Sequence, residues 1–318
     1  MAGLTSNLLL RVSFCILFFS ACSMSAQNES GVVTPVSQAP VPTVTDTVPA
    51  TSVVIPTEVN NPAMLPSKTQ TLQSPVYEYN GNDLPGCSLG TALRTETIDV
   101  VLKNKNHIGL IMSATSFLAQ QYFPKFEGSI RIIGAPSLDE FKDKGTRAVV
   151  DNVPFEGLGY GLETSNSTPD EEWRDLLGST HKANVIADDL NKMLVMAPGF
   201  KLMSDNEDMY ARMALEADIW IFQTQQLQKG PPGLEYRGEV ERIINLIRSE
   251  NPEIRIWAQI TLPPDREPDA SEWLDYRQSI VDLVDGTYIG VYTWDTVDPE
   301  ILVQTINTIF ETACTDRD

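Results

Sequence analysis

Asp218-Ile219-Trp220-Ile221-Phe222-Gln223 reads as a strand, Tyr236, Val240, Ile243, Ile244 and Ile247 as one apolar helical face, and Ile254-Arg255-Ile256-Trp257-Ala258-Gln259-Ile260 as a second strand. The switch from a period of two to a period near 3.6 and back marks a β-α-β unit. The same alternation extends outward. Gly157–Leu162 and Lys192–Ala197 precede it as apolar runs, and Thr287–Tyr292 follows it. Between them, Thr168-Pro169-Asp170-Glu171 has the form of a capping box with Pro at the first helical position. Ser271 and Asp298-Pro299 open two further helices. Strands alternating with helices imply a parallel sheet with right-handed crossovers. Toward the N-terminus, Ile130–Ile133, Ile108–Met112 and Ile98–Leu102 read as three more strands. Eight strands in about 235 residues match a (β/α)8 TIM-like barrel in size. The alternative, an open doubly wound sheet, normally carries a Gly-rich phosphate turn after its first strand. None is found there. The expected fold is therefore an α/β barrel over residues 84–318.

Working residues of such barrels sit at the carboxyl ends of the strands. Those ends offer Glu163, Asp205, Gln223, Gln225, Gln259 and the pair Trp294-Asp295. In Ile254–Ile260 the even positions are apolar and should face the helices, which aims Arg255, Trp257 and Gln259 into the barrel. By the same parity Gly290, Tyr292 and Trp294 are expected to line the mouth. Gly157, Gly159 and Gly161 are expected to leave space inside the barrel beside Glu163. The amides of Gln223 and Gln225 can each donate and accept, which suits sugar hydroxyls. Trp257, Tyr292 and Trp294 offer ring faces. Gln226 and Gln228 read as a solvated loop. The run Asp170-Glu171-Glu172 reads as first-turn helix charge rather than a metal cluster.

The first residues have a different character. Val12 to Phe19 is apolar but too short to span a bilayer, and it follows the single charge Arg11. It reads as a signal peptide over residues 1–21. The run ends Phe19-Ser20-Ala21-Cys22, the pattern of a bacterial lipoprotein box, so Cys22 is expected to carry lipid. From Ser23 to Pro75 lie eight of the chain's 21 prolines, only four charges, and no aromatic before Tyr77. Residues 22–83 therefore read as a lipid-anchor Cys followed by an unstructured tether.

The chain has 318 residues, 23 Lys+Arg against 43 Asp+Glu, and a net charge of -20. A polyanion without a basic stripe does not bind nucleic acid, because phosphate contacts need clustered Lys and Arg. The charge also opposes anionic headgroups, so membrane attachment should come through the lipid alone. Four Cys and two His exclude a Cys-rich zinc framework and a three-His site. No metal and no cofactor are expected. Cys15 leaves with the signal and Cys22 is taken by lipid. Cys87 and Cys314 then form an even pair in an oxidising setting, at the first and last elements of a barrel whose closure brings them together. A disulfide between them is expected.

Four motifs in order, Tyr160-Gly161-Leu162-Glu163, Thr168-Pro169-Asp170-Glu171-Glu172, Val195-Met196-Ala197-Pro198-Gly199 and Gln223-Thr224-Gln225-Gln226-Leu227-Gln228, resemble a group of exported bacterial (β/α)8-barrel proteins that are glycoside-hydrolase-like in fold. The resemblance covers roughly Phe155 to Trp294. It implies a polar barrel mouth, with Tyr160 among its ligand contacts. Gly161 stands where that group often has Asp, which removes one possible acid. Glycoside hydrolysis needs two carboxyls flanking the bond. By analogy with retaining barrels these end strands four and seven. Glu163 fits the first place, but the strand-seven position holds Gln259, which cannot act as nucleophile or base. Asp295 or Asp205 would have to substitute. Two readings follow: a lipid-anchored cell-surface barrel that binds a glycan or another envelope component, or a hydrolase with Glu163 as general acid.

Overall fold

The computed structural model describes residues 88–163, 167–262, 267–291 and 297–314. Eight parallel strands close on themselves in chain order: β1 (Leu89–Ala92), β2 (Ile108–Ser113), β3 (Ile130–Ala135), β4 (Gly157–Tyr160), β5 (Met193–Met196), β6 (Ile219–Gln223), β7 (Arg255–Leu262) and β8 (Gly286–Val291). Around them lie α1 (Ile98–Lys103), α2 (Ser116–Tyr122), α3 (Leu138–Val150), α4 (Asp170–Arg174), α5 (Leu176–Asp189), α6 (Phe200–Asp205), α7 (Glu207–Met213), α8 (Leu234–Glu250), α9 (Ala270–Ile280) and α10 (Pro299–Ala313). This is a (β/α)8 barrel, as the alternating periods implied. The signal segment, Cys22, the tether and Cys87 lie outside the described residues.

Ile98–Leu102 is not the first strand but helix α1, which buries Val100 and Val101. The strand is Leu89-Gly90-Thr91-Ala92, which pairs with both β2 and β8 and closes the barrel. Its interior positions are Gly90 and Ala92, too small to give an apolar alternation, so periodicity selected the β-branched run just beyond it. The expected capping box at Thr168 is also absent. Pro169 is the N-cap of α4 and makes no side-chain cap. Thr168 instead donates from Oγ1 to the Pro136 carbonyl at 2.7 Å. Asp298 does cap α10, accepting from the Glu300 amide.

Packing separates two apolar layers. Residues of one strand parity, among them Leu158, Trp220, Phe222, Ile256, Ala258 and Ile260, meet the helices. The other parity fills the barrel with Leu110, Met112, Ile130, Ile132, Val195, Ile219, Ile221, Trp257 and Tyr288. Trp257 lies between two glycines: a Cβ on Gly286 would stand 2.6 Å from the indole, and one on Gly90 3.2 Å. Large against small across neighbouring strands is how a narrow barrel interior is filled. The same logic overturns the expectation for β4. The room beside Gly157 and Gly159 is taken by Val195, Ile132 and Met112, so these glycines accommodate core, not ligand.

At the amino ends of the strands a carboxylate recurs directly before each of β4, β6 and β8. Glu156 accepts from the Arg131 amide at 2.8 Å, Asp218 from the Leu194 amide at 2.8 Å, and Asp285 from the Ile256 amide at 2.7 Å. Each holds the second residue of the preceding strand, and Glu156 also pairs with the Arg131 guanidinium. These acids fasten the face of the barrel opposite the mouth, which is the face concerned with stability. The chemistry must be sought at the other end.

Candidate functional site

The interior changes from apolar to amide as it rises to the mouth. In register, Ile221 pairs with Trp257 and, two residues on, Gln223 pairs with Gln259. Gln259 in turn pairs with Tyr288. Three adjacent strands thus bring polar side chains to one side of the opening. Glu163 reaches them from the far side of β5. Its Cγ would lie 3.3 Å from a Cβ on Gly199, so the missing side chain there is what lets the carboxylate pass across the end of β5.

Glu163 Oε1 accepts a hydrogen bond from Gln223 Nε2 at 3.0 Å. Gln225 Nε2 donates to Gln223 Oε1 at 3.2 Å. Gln259 Nε2 and Thr261 Oγ1 both donate to Gln225 Oε1, at 3.4 and 3.3 Å. Every donor in this chain points toward Glu163, so each bond polarises the next in one sense. The chain is held from behind. Thr224 donates from its backbone and its hydroxyl to the Gln259 carbonyl, at 3.0 and 2.8 Å, and Tyr236 donates to Thr224 Oγ1. Gln228 is no free loop residue: its amide accepts from the Thr261 N–H and donates to the Thr261 carbonyl, at 2.9 and 3.1 Å, pinning the end of β7.

Burial raises the Glu163 carboxyl from 4.5 to about 6, and the Gln223 bond opposes that rise. An amide can hold a carboxylate in place but brings no charge to compensate desolvation, so burial prevails. At neutral pH the group sits within reach of either protonation state, which suits a proton donor as well as a hydrogen-bond partner.

The other expected site residues fall into three groups. Gln223, Gln225 and Gln259 join Glu163 at the mouth. Tyr292, Trp294 and Asp295 lie outside the described residues. Tyr160 and Trp257 are elsewhere, and Asp205 is the last residue of α6. Tyr160 faces the helices, fully buried, and donates to Glu172 Oε2 at 2.6 Å. As the last residue of β4 it takes the outward parity of Leu158. Trp257 does point into the barrel, but it is one layer too deep, with 1% of its surface exposed, and serves as core rather than as a stacking face. Asp205 is exposed at the far end of α6, bonded to Ser204. Glu172 is more than first-turn charge as well. It is buried, and both its oxygens accept from the Leu138 amide at 3.1 Å, closing the start of α3.

Several mouth residues were not anticipated. Tyr288 and Thr261 share the inward parity already assigned to Gly290 and Gln259, so strict alternation would have marked them. Arg94 follows the unrecognised strand β1. Phe117, 73% exposed in the first turn of α2, offers an aromatic face on the same end of the barrel. Nothing in its local sequence distinguishes it from a buried helix residue. Among the described residues no group of three or more His, Cys, Asp or Glu is placed to hold a metal ion.

No family model and no curated protein matches the sequence. Solved structures do match in shape. A glycoside hydrolase family 17 β-1,3-glucanosyltransferase from Rhizomucor miehei is 10% identical, with 65% of this chain and 87% of that chain covered and a TM-score of 0.46. A GH10 endoxylanase from a sugarcane soil metagenome is 10% identical over 66% of this chain and 87% of that one, with a TM-score of 0.43. An aldolase, QR15, is 11% identical over 70% and 98%, with a TM-score of 0.41. Similarity at this level spans unrelated chemistries and carries no argument about activity, so the function has to be argued from the mouth itself.

Proposed function

We propose that this chain is a cell-surface lipoprotein whose barrel binds a neutral, hydroxyl-rich ligand, a carbohydrate of the envelope or its surroundings, without turning it over. The observation that carries the reading is the one-directional amide chain from Gln259 through Gln225 and Gln223 to Glu163. Amides and a carboxyl near its titration point bind hydroxyls by exchanging donors and acceptors. The amides offer no charge to an ionic ligand, and the Glu163 carboxylate adds an acceptor for a hydroxyl. The anchored, exported setting is supported by the apolar run that ends at Cys22 and by the proline-rich tether after it. Mass spectrometry of the mature N-terminus tests it: a diacylated Cys22 is expected, and an unmodified terminus at any other residue removes the anchor. Cys314, the C-cap of α10, is one half of the disulfide we propose. Cys87 is the partner we propose, because it stands one residue before Ser88, whose carbonyl accepts from Thr287 in β8 where the barrel closes.

A hydrolase is the second reading, and the Glu163 carboxyl at about 6 favours it, since a general acid must hold its proton near neutral pH. It also needs a second carboxyl, for which Asp295 and Asp205 are the candidates. Calorimetric titration with neutral oligosaccharides, run beside hydrolysis of nitrophenyl glycosides, separates the two. Binding without release of nitrophenol by either the wild type or Glu163→Gln is expected. Hydrolysis by the wild type that Glu163→Gln abolishes would replace the binding reading by the hydrolase.

Glu163→Gln also has a stability signature that needs no ligand. Below pH 4.5 the carboxyl is protonated in both the folded and the unfolded chain, and it contributes no pH dependence. Between 4.5 and about 6 the unfolded chain releases its proton while the folded protein keeps it, so stability falls as pH rises. Above that window the cost is constant, roughly 2 kcal/mol for a shift of this size. The Gln variant escapes it. Its unfolding free energy relative to wild type should be higher by up to roughly 2 kcal/mol at pH 7 than at pH 4. Urea titrations at the two pH values measure the difference, and a flat difference would show that the site does not raise the group.

A further inference from the structure

Beside the amide chain, where β7, β8, β1 and β2 end, lies a cavity of about 30 Å³ lined by Ala92, Arg94, Met112, Gln259, Tyr288 and Gly290. Two buried side-chain atoms of its lining residues, Gln259 Oε1 and Tyr288 OH, have no hydrogen-bond partner among the described residues. Both residues are 2% exposed. Burying a polar atom without a partner costs about 1–3 kcal/mol, so both side chains gain by turning onto a polar group that enters the cavity. The chemistry of that occupant is narrowly defined. Gln259 has committed its Nε2 to Gln225, so its Oε1 can only accept and needs a donor. Tyr288 can donate and accept. An ammonium group would satisfy Gln259 but would enter beside the Arg94 guanidinium. A carboxylate would have no proton for Gln259 Oε1. A hydroxyl donates to one and accepts from the other. The volume suits one such group and no sugar ring. The Arg94 charge reaches this corner, since it opposes the burial that pushes the Tyr288 phenol up.

We propose that this cavity receives a single hydroxyl or hydroxymethyl arm of the ligand, which donates to Gln259 Oε1 and accepts from the Tyr288 hydroxyl. The assignment rests on the neutral-ligand reading above and deepens it. It places a specificity pocket at the opposite end of the amide chain from Glu163. A ligand seated there is sensed at Glu163, because a donor on Gln259 Oε1 strengthens the Nε2 donation to Gln225 and so on along the chain.

The test uses the full mature chain, its Tyr288→Phe variant, and calorimetric titration with cellotetraose, xylotetraose and laminaritetraose, followed by the monodeoxy analogues of whichever is bound. Tyr288→Phe removes a hydroxyl that no described residue holds, so the unliganded variant should unfold at the wild-type temperature or above it. Affinity for the parent sugar should fall about tenfold, the weight of one neutral hydrogen bond. For the one deoxy analogue that lacks the bound hydroxyl, wild type and variant should bind alike. Equal affinity of wild type and variant for the parent, with binding intact, overturns the pocket and leaves the ligand reading standing. A parallel loss for the parent and every deoxy analogue marks Tyr288 as structural and also overturns it. Failure of the wild type to bind any of the sugars overturns the ligand reading, and the pocket with it. Should the variant not fold, a crystal structure of the wild-type complex decides. The selected hydroxyl is expected about 3 Å from Gln259 Oε1, and a water retained there beside bound sugar overturns the assignment.

Discussion

Trp257→Ala is expected to lower the unfolding free energy by about 3–5 kcal/mol, the range for deleting a fully buried aromatic. The indole fills the barrel between Gly90 and Gly286, against Ile221 on β6. Relaxation cannot close the resulting cavity. Its neighbours on two strands are glycines with no side chain to move, and the closed hydrogen-bonded sheet holds the strands apart. The loss should therefore lie toward the upper end. A conservative Trp257→Phe should cost much less, because it keeps most of the filling volume. Chemical denaturation of the three proteins measures the series. A loss under about 1 kcal/mol for Trp257→Ala would mean that the ring is not the interior filler described here.

Glu172→Ala is expected to cost about 3 kcal/mol, although it removes an acid from a short surface helix. Its carboxylate takes the Tyr160 hydroxyl at 2.6 Å and the first amide of α3 at 3.1 Å, the hydroxyl buried and the amide part-buried. Truncation leaves a buried and a part-buried donor unpaired, which is costlier than never having had them. It also removes a negative charge from the start of α3, where the helix dipole favours one. Glu172→Gln keeps an acceptor and should lose less. Tyr160→Phe removes one partner only and should cost about 1 kcal/mol, while leaving any sugar binding unchanged. Thermal unfolding of the three variants checks the order. A binding defect in Tyr160→Phe would contradict its placement on the helix side of the barrel.

The contrast between Tyr160 and Glu163 shows how far local sequence reaches. Both lie in the same four-residue motif; position at a strand end assigned Glu163 to the mouth, and the resemblance assigned Tyr160. Parity separates them only once the end of the strand is known, and β4 stops at Tyr160, two residues sooner than its apolar run. Arg255, Trp257 and Gln259 were aimed inward correctly by alternation, but alternation gives direction and not depth. Trp257 and Gln259 differ by one pleat, enough to separate core from mouth. Depth depends on the register between neighbouring strands, which no single strand encodes.

What the sequence determined by itself is the barrel. Seven strand-sized apolar segments, β2 to β8, spaced by helix-sized amphipathic ones leave few ways to bury their faces, and a closed parallel sheet completed by one more strand is one of them. It also determined that Glu163 and a group of glutamines stand at strand ends, because residue type and position suffice for that. The tertiary structure decided which of those residues meet. It took Gly199 to let Glu163 cross β5, register to set Gln223 beside Gln259, and closure through the inconspicuous strand Leu89–Ala92 to bring Tyr288 and Arg94 to the same corner. Each of these contacts joins residues far apart in the chain. Their geometry follows from the shape of the closed sheet, and local patterning carries no record of it.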